Sequence, residues 1–354
     1  MILIENDKYL EDIHYIASLP VSWDRLKDSS ILISGASGLI GSCLIDTLME
    51  KNRTDGLNCR VCAVARNADR LRHRFGNWLD NRCFSYICQD VNEDVISISD
   101  DFDNVVHLAS NTHPVAYASE PISTIMTNIT GTRNLLEFAC SHHAKRVLFA
   151  SSNEIYGENR GDTELFDESY CGYIDCNTLR AGYPESKRCG EALCQAYIRE
   201  SGLDVVIARF TRSYGPTVLD SDTKAISQFI GRAVMGGDII LKSEGNQYYS
   251  YTYAADAVAG LLTVLLEGEK GEAYNIADER SDIRLKELAA LIADHVGTSV
   301  KYELPDEVER SGYSTATRAR LDGSKIKQLG WTARYDIKQG INRTLDILQS
   351  ISHK

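Results

Sequence analysis

The sequence has little that would place the chain in a membrane or hold it together by disulfides. Its longest apolar runs, such as 257–266, are well short of the roughly 20 residues that a membrane-spanning helix needs. The first ten residues include acidic side chains and no long apolar stretch, which argues against a signal peptide. The ten cysteines are scattered without a disulfide framework, as is usual in a reducing compartment. We therefore expect a cytoplasmic protein that has no membrane partner.

An excess of positive charge is also missing. The chain has 38 Lys and Arg against 50 Asp and Glu, for a net charge of -12. Since duplex nucleic acids are usually bound by a basic face, no nucleic-acid partner is expected. Cys59 and Cys62 have the spacing of a zinc-binding pair, but they lie on a predicted strand and lack a second pair. No metal site is expected either.

What the sequence does have is a regular alternation of short apolar runs and helical patterns. Such alternation predicts an α/β fold with a doubly wound parallel sheet. The predicted strands are 30–34, 60–65, 84–88, 104–109, 146–150, 205–210 and 273–276. Helical patterns lie between most of them, as at 39–51 and 123–140.

The remaining segments suggest how the chain is divided. Apolar residues near the N-terminus have a rough helical spacing that ends at Pro20, which predicts a short helical extension. Loop signals become frequent after residue 211, which favours a smaller, partly interleaved substrate lobe. The expected units are the extension at 1–28, a nucleotide-binding domain at 29–210 and 238–268, and a substrate-binding lobe at 211–237 and 269–354.

Three glycines follow the first predicted strand and open the first long helix. In this setting Gly35 permits a tight turn, Gly38 lets the backbone approach a pyrophosphate, and Gly41 allows close packing of helix on sheet. The helix N-terminus adds N–H donors and a partial positive charge. A plain turn is the alternative. The pattern predicts a Rossmann domain that binds NAD(P).

The end of the second strand indicates which dinucleotide is preferred. Proteins that bind NAD usually have an acidic residue there for the ribose hydroxyl, whereas this chain has Arg66. A guanidinium can pair with the 2′-phosphate of NADP as a planar fork. Arg66 therefore favours NADP(H), with a solvated surface arginine as the alternative. Asp90, after the third strand, can accept a hydrogen bond from the adenine amino group or simply cap the strand.

Tyr183 and Lys187 are four residues apart, so on a helix they share one face. A free tyrosine has a pKa of about 10 and is a poor base at neutral pH. A nearby ammonium and a positively charged nicotinamide lower the pKa of the phenol, which can then take a proton from a hydroxyl. Ser152, at the mouth of the fifth strand, can hold the reacting oxygen. Glu154 can act on a neighbouring carbon, or it is a capping or solvated carboxylate.

Together these motifs resemble the extended short-chain dehydrogenase/reductase family, in its nucleotide-sugar epimerase/dehydratase branch. The resemblance runs from about residue 30 to the C-terminus, with order and spacing kept. It rests on the segments 35–41 (GASGLIG), 106–109 (VHLA), 128–132 (NITGT), 151–157 (SSNEIYG), 183–187 (YPESK), 209–216 (RFTRSYGP), 245–247 (GNQ), 253–256 (YAAD), 321–325 (LDGSK) and 329–331 (LGW).

The resemblance implies a role for each matching residue. Ser152, Tyr183 and Lys187 take the catalytic positions, and Glu154 stands where dehydratases and sugar-acid decarboxylases carry a glutamate. The implied cofactor contacts are Gly35, Ser37, Gly38, Leu39, Ile40, Gly41, Arg66, Asp90, Val91, Leu108, Ala109, Ser110, Asn128 and Lys187. The implied substrate contacts are Ser151, Asn153, Arg212 and Tyr249.

Some positions depart from the family pattern. Asn153 replaces the aspartate that dTDP-glucose dehydratases use as the acid for water loss, which counts against that activity. Arg212 stands where many members have an asparagine near the sugar. Tyr249 replaces an arginine that pairs with the nucleotide phosphates. The diphosphate contact is therefore expected from another arginine, such as Arg212 or Arg310.

The expected substrate is a nucleotide-diphosphate sugar that undergoes hydride transfer at C4. Glu154 favours a redox-neutral epimerase, dehydratase or decarboxylase, because a base at C5 is needed only when a 4-keto sugar forms. Arg66 favours a net reductase that uses NADPH on a 4-keto-6-deoxy sugar nucleotide. A cofactor-binding protein without turnover is disfavoured by the intact Ser152, Tyr183 and Lys187. The resemblance also implies a homodimer, paired through the helix with the Tyr–Lys motif and the preceding one.

Overall fold

The computed structural model describes residues 3–93, 100–112, 117, 119–303, 305 and 317–352. In this part of the chain the strands are β1 (Ser30–Ser34), β2 (Arg60–Ala65), β3 (Phe84–Cys88), β4 (Asn104–His107), β5 (Arg146–Ser152), β6 (Val205–Phe210), β7 (Arg212–Tyr214), β8 (Ile239–Leu241), β9 (Tyr248–Tyr253), β10 (Ala273–Ile276), β11 (Asp282–Arg284), β12 (Val300–Tyr302) and β13 (Arg318–Ala319). The helices are α1 (Asp7–Ala17), α2 (Leu39–Asp55), α3 (Ala68–Arg74), α4 (Pro121–Ser141), α5 (Gly182–Ser201), α6 (Ala225–Val234), α7 (Ala254–Glu267), α8 (Leu285–Val296), α9 (Ser324–Gln328) and α10 (Ile337–Ser352).

The central layer is a seven-stranded sheet in the order β10-β6-β5-β4-β1-β2-β3. All of its neighbouring strands are parallel. The chain order reverses direction at β1, which lies between β2 and β4. This is a doubly wound Rossmann sheet, so the predicted fold class is confirmed. Ligands of such sheets bind beyond the carboxyl ends of the strands, at the point of reversal.

Alternating side chains of the central strands face two layers of helices. On β1, Ile31 and Ile33 join the apolar cluster that contains residues of α2 and α7, whereas Leu32 joins the cluster that contains residues of α4 and α5. This alternation follows from the two-residue period of a strand. Since each central strand is covered on both faces, only its ends are open to ligands.

Two smaller sheets form the second lobe. β9 pairs with β7, β11 and β13, and β8 pairs with β12. β8 and β9 fall within 238–268, a range expected to belong to the nucleotide-binding domain, and both strands lie outside the central sheet. The division into units stays a prediction. β10 was expected to extend the parallel sheet, and it pairs with β6 at the edge of that sheet. Short apolar runs show that a strand forms without showing which sheet it joins.

The N-terminal extension forms one helix, α1, which packs on α2, α7 and α10. Its tyrosines and acids pair with buried partners: the Tyr9 hydroxyl donates to Asp46 at 2.7 Å, and Asp12 accepts from Tyr335 at 2.8 Å. Asp46 and Asp12 are both almost fully buried. The extension is thus part of the packed structure. In the described part of the chain, no helix is long and apolar enough to cross a bilayer.

Candidate active site

A cleft of about 830 Å³ lies at the carboxyl ends of the central strands. It brings together residues that are far apart in the sequence. Of the predicted site residues that the structure describes, all but Asn128 line this cleft. Those that line it are Gly35, Ser37, Gly38, Leu39, Ile40, Gly41, Arg66, Asp90, Val91, Leu108, Ala109, Ser110, Ser151, Ser152, Asn153, Glu154, Tyr183, Lys187, Arg212 and Tyr249.

The glycine loop between β1 and α2 leaves no room for side chains. Gly35 has a φ of 68°, and a Cβ atom there would lie 2.7 Å from the Ala109 nitrogen. A Cβ at Gly41 would lie 2.5 Å from the Gly35 carbonyl oxygen. Gly38 is the N-cap residue of α2 and makes no side-chain hydrogen bond to the helix. The first N–H groups of α2 therefore have no side-chain cap and are available to a ligand in the cleft. This cradle fits the pyrophosphate of a dinucleotide.

Arg66 extends from the end of β2 and is held loosely. Its Nη2 atom lies 3.4 Å from Oδ1 of Asn111, and its Nη1 atom lies 3.8 Å from a carboxylate oxygen of Asp90. More than half of the Arg66 side chain is exposed. Asp90 also accepts a hydrogen bond from the backbone N–H of Asn92, which is the capping role that the sequence left open. Arg70 also lines the cleft.

Asn128, expected to contact the cofactor, lies behind the cleft. Its side-chain oxygen accepts from Ser110 at 2.7 Å, and its nitrogen donates to Ser186 at 2.9 Å. The Ser186 hydroxyl in turn donates to the Tyr183 carbonyl at 2.8 Å. Both ends of the amide are therefore used inside the protein. Asn128 connects α4 to the start of α5 and so helps to position Tyr183.

Tyr183 and Lys187 lie one turn apart on α5 and are 5% and 3% exposed. Lys187 Nζ donates to the carbonyl oxygen of Ala150 at 2.9 Å, which ties α5 to the end of β5. Burial lowers the pKa of Lys187 to about 8. The shared helical face that the spacing predicts is present.

The pKa of Tyr183 differs from the expectation. Burial raises it to about 12, the negative charge of Glu154 adds to the rise, and contact with the Ser152 hydroxyl opposes it. Desolvation of a buried phenol disfavours the phenolate, and the Arg180 guanidinium opposes the rise in the pKa of Tyr183. In the protein itself Tyr183 is a phenol at neutral pH.

Glu154 follows β5 in a short 3₁₀ turn and is flanked by two arginines. Arg180 Nη2 donates to one carboxylate oxygen at 2.6 Å, and Arg212 Nη2 lies 3.6 Å from the other. The backbone N–H of Glu154 donates to the hydroxyl of Ser152 at 3.2 Å. Sequence reasoning missed Arg180, whose one signal is its position three residues before Tyr183. The Glu154 carboxylate is thus ion-paired at the cleft, with 18% of its side chain exposed.

Aromatic rings support both arginines and Tyr183. The Tyr117 ring stacks on the Tyr183 ring with centroids 4.8 Å apart and an angle of 27°. The guanidinium carbon of Arg180 lies 4.7 Å from the centre of the Tyr117 ring. That of Arg212 lies 3.5 Å from the centre of the Tyr249 ring. No sequence motif points to Tyr117, which this fold alone brings to the site.

Two arginines were expected at the diphosphate, and only one of them is among the described residues. Arg212 lies beside Glu154, and Arg310 is outside the described residues. Lys224, which sequence reasoning missed, lines the cleft and donates to Thr112 at 3.2 Å and to Asp222 at 2.9 Å. The Ser151 hydroxyl is buried at the cleft and has no hydrogen-bond partner among the described residues. It is therefore open to a ligand.

A phosphate-binding glycine loop on the first strand of a doubly wound sheet, with a serine, a tyrosine and a lysine at the same cleft, defines an NAD(P)-dependent short-chain dehydrogenase/reductase. The chain belongs to the NAD-dependent epimerase/dehydratase family, whose model matches residues 31–277. The predicted family is confirmed, and with it the prediction of an NAD(P)-dependent enzyme of the nucleotide-sugar modifying type.

Relatives and solved structures of this kind match most of the chain. UDP-glucuronic acid decarboxylase 3 of Arabidopsis thaliana is 31% identical over 312 residues, or 88% of this chain and 86% of the relative. UDP-glucuronic acid decarboxylase 1 of Xenopus tropicalis is 30% identical over 92% of this chain and 74% of its own length.

Solved structures with lower identity show the same fold. The dTDP-glucose 4,6-dehydratase DesIV from Streptomyces venezuelae, with NAD bound, has a TM-score of 0.77 at 24% identity, covering 91% of this chain and 97% of its own. A UDP-glucuronic acid 4-epimerase from Bacillus cereus, in complex with UDP-glucuronic acid and NAD, has a TM-score of 0.78 at 21% identity, covering 91% and 99%.

Proposed function

We propose that the protein decarboxylates a nucleotide-diphosphate-linked sugar acid in a redox-neutral reaction that passes through a 4-keto intermediate. The observation that carries the proposal is the convergence of Ser152, Tyr183 and Glu154 on one cleft beside the dinucleotide cradle. Glu154 has a function next to a C4 oxidation site only if the neighbouring C5 reacts. Relatives named as UDP-glucuronic acid decarboxylases make UDP-glucuronic acid the first substrate to test.

The first step assigned to the chain is removal of a proton from the sugar C4 hydroxyl. The Ser152 hydroxyl holds that oxygen, and Tyr183 takes the proton. A bound nicotinamide supplies the reversible hydride acceptor for C4. Because burial holds the pKa of Tyr183 at about 12, its phenolate needs nearby positive charge. Lys187 supplies part of it as an ammonium below pH 8.

The second step is loss of CO₂. A 4-keto sugar with a carboxylate on C5 is a β-keto acid. Its C5–C6 bond breaks, CO₂ leaves, and the electron pair of that bond forms a C4–C5 enolate with the charge on the C4 oxygen. Ser152 and Tyr183 donate hydrogen bonds to that oxygen. We assign to Glu154 the relay of a solvent proton to C5: its carboxylate takes the proton from water in the cleft as CO₂ leaves and passes it to C5. The C4 carbonyl is then reduced again, Tyr183 returns a proton to the C4 oxygen, and the cofactor ends as it began.

The test is incubation of the purified enzyme with UDP-glucuronic acid and catalytic NAD⁺ or NADP⁺. The expected result is release of one CO₂ per nucleotide sugar consumed, with no net change in absorbance at the nicotinamide band. In D₂O the product should carry one deuterium at C5, detected by mass spectrometry. Tyr183→Phe should abolish the reaction. A strict requirement for stoichiometric NADPH would contradict the proposal.

The second candidate is a net reductase that uses NADPH on a 4-keto-6-deoxy nucleotide sugar. Arg66, in place of an acidic residue at the end of β2, favours it because NADPH is the usual reductant of biosynthesis. The two reactions are distinguished by stoichiometry. The reductase consumes one NADPH per sugar and releases no CO₂.

We also propose that NADP(H) is preferred over NAD(H), with Arg66 at the 2′-phosphate and Arg70 nearby. Arg66→Ala should weaken NADP⁺ binding roughly tenfold or more, since a charged hydrogen bond contributes about 1.5–3 kcal/mol. Binding of NAD⁺ should change little. Arg72→Ala is the matched control, because Arg72 is exposed and pairs with Asp69 outside the cleft. Equal losses for both dinucleotides would contradict the preference.

The remaining partners are proposed on the same basis. We assign the diphosphate of the sugar nucleotide to Lys224 in the place of the family arginine. A homodimer through α4 and α5 is supported by exposed apolar side chains: Ile122 and Met126 in the first turns of α4, and Leu179 in the 3₁₀ turn that precedes α5. Met126→Lys should shift the sedimentation coefficient from dimer to monomer. The cytoplasmic location stays a prediction from the sequence.

A further inference from the structure

The cluster around Glu154 carries more positive than negative charge. Its carboxylate lies between the guanidinium groups of Arg180 and Arg212, at 2.6 Å and 3.6 Å. All of these side chains are largely buried, with exposures of 18% for Glu154, 11% for Arg180 and 17% for Arg212. Two buried cations that share one anion leave a net charge of +1 at the cleft. Such a cluster is electrostatically complete only with a second anion.

The two arginines have donors that the protein does not use. Each reaches Glu154 through Nη2. Nε and Nη1 of Arg180, and Nη1 of Arg212, are buried and have no hydrogen-bond partner among the described residues. Leaving a buried charged donor unpaired is costly. Both arginines line the cleft, so a ligand there can satisfy these groups.

Tyrosine rings hold both guanidinium groups in place. Arg180 lies over Tyr117 at 4.7 Å, and Arg212 lies over Tyr249 at 3.5 Å. Stacking leaves the edges of a guanidinium open for hydrogen bonds. Because the side chains are already ordered, little conformational entropy is lost when they bind a ligand. Tyr249, at the position where many family members carry a phosphate-binding arginine, therefore supports the guanidinium group of Arg212 instead.

We propose that Arg180 and Arg212 form the receptor for the carboxylate of the sugar, and that Glu154 competes with this carboxylate for the same two cations. The inference rests on the proposed function, because it names the group of the substrate that this part of the cleft recognises. Arg180 and Arg212 then determine specificity for an acidic over a neutral sugar. Glu154 weakens binding of the acid, and its repulsion of the sugar carboxylate is relieved when CO₂ leaves.

The experiment compares two ligands that differ only at C6, UDP-glucuronic acid and UDP-glucose, with UDP as a third probe. Affinities are measured by calorimetry on the cofactor-loaded full chain in a Tyr183→Phe background, which prevents turnover. Arg180→Gln and Arg212→Gln should each weaken UDP-glucuronic acid roughly 10- to 100-fold, the range of a charged hydrogen bond. Binding of UDP-glucose should change less than about twofold, which also shows that the variants are folded.

Glu154→Gln tests the competition. Removing its charge should tighten binding of UDP-glucuronic acid, by about tenfold for one lost repulsion, and leave UDP-glucose unchanged. Arg160→Gln is the matched control. Arg160 stacks on Tyr173 at 4.0 Å and lies 3.9 Å from Glu158, which repeats the Arg–Tyr–Glu composition outside the cleft lining. This control should change neither affinity.

Two results would overturn the inference. If Arg180→Gln weakens UDP-glucuronic acid, UDP-glucose and UDP equally, the arginines bind the common diphosphate. If Glu154→Gln leaves the affinity for UDP-glucuronic acid unchanged, there is no competition. If Arg180→Gln binds none of the three ligands and its circular dichroism spectrum shows that it is unfolded, Arg180→Lys is measured instead. That variant must still bind UDP-glucuronic acid more tightly than UDP-glucose. If the preference for UDP-glucuronic acid depends on the two arginines but the wild-type enzyme releases no CO₂, the proposed decarboxylase activity is contradicted and the proposed carboxylate-binding role of the arginines is supported.

Discussion

Gly190 offers a test of how closely catalysis depends on the contact between α5 and β5. A Cβ atom at Gly190 would lie 2.6 Å from Cζ of Phe149, a buried residue of β5. Lys187 Nζ lies over the same ring at 5.0 Å. Ordinary carbon contacts begin near 3.4 Å, so Gly190→Ala requires α5 and β5 to separate by about 0.8 Å. That movement shifts Tyr183 relative to the end of β5.

The magnitude follows from two opposed effects. Overpacking of a core costs about 1–3 kcal/mol, whereas replacing glycine by alanine inside a helix stabilises by about 0.5–1 kcal/mol. The net loss in the free energy of unfolding should be roughly 0–2.5 kcal/mol, which leaves the protein folded. A misplacement of about 1 Å at a catalytic group can cost about 100-fold in rate. We therefore expect kcat to fall 10- to 100-fold, which is a large effect for a variant that remains folded.

The measurement is kcat for CO₂ release together with urea denaturation. Gly231→Ala is the control, because Gly231 lies inside α6 with open space around its Cβ position. It should stabilise the protein by about 0.5–1 kcal/mol without changing kcat. The reasoning is refuted if Gly190→Ala keeps the wild-type kcat, or if both alanine variants gain stability equally.

Three further outcomes are expected. Since burial lowers the pKa of Lys187 to about 8, kcat should fall as pH rises through 8, and residual activity of Lys187→Arg should lack that decline. Gly41→Ala, with a Cβ 2.5 Å from the Gly35 carbonyl, should weaken NADH binding in a fluorescence titration by tenfold or more. Burial also lowers the pKa of His107 to about 3. His107 therefore stays neutral in the folded protein while the unfolded chain takes up a proton, and the free energy of unfolding decreases as pH falls from about 6.5 towards 3. The urea midpoint of His107→Gln should vary less with pH in that window than the midpoint of the wild type.

The parts of the structure that depend on local sequence were predicted well. The bounds of β1, β2, β3, β6 and β10 agree with the predicted strands, because apolar runs bounded by turn residues determine them. The glycine loop and the Tyr–Lys spacing were equally visible. Five of the predicted elements thus needed no information from the rest of the chain.

The rest of the site depends on contacts between distant segments. Arg180 meets Glu154 across 26 residues, and the Tyr117 ring stacks on that of Tyr183 although the two lie far apart in the sequence. Composition and periodicity contain no signal for either contact. The rise in the pKa of Tyr183 in the protein without cofactor was not foreseen for the same reason, since the depth of burial is a property of the folded chain. The lowering by a bound nicotinamide stays a prediction.

The helix α1 changes what should be regarded as the folding unit. The family match begins at residue 31, yet Asp12 and Tyr9 lie before it and satisfy Tyr335 and Asp46 inside the protein. A version trimmed to the family boundary would remove the Asp12 acceptor of Tyr335 and the Tyr9 hydroxyl that donates to Asp46, which would keep Arg74 and Trp78 as partners. Each lost hydrogen bond contributes about 0.5–1.5 kcal/mol. The stable folding unit therefore includes α1, which lies outside the segment that the family model matches but packs on α2, α7 and α10.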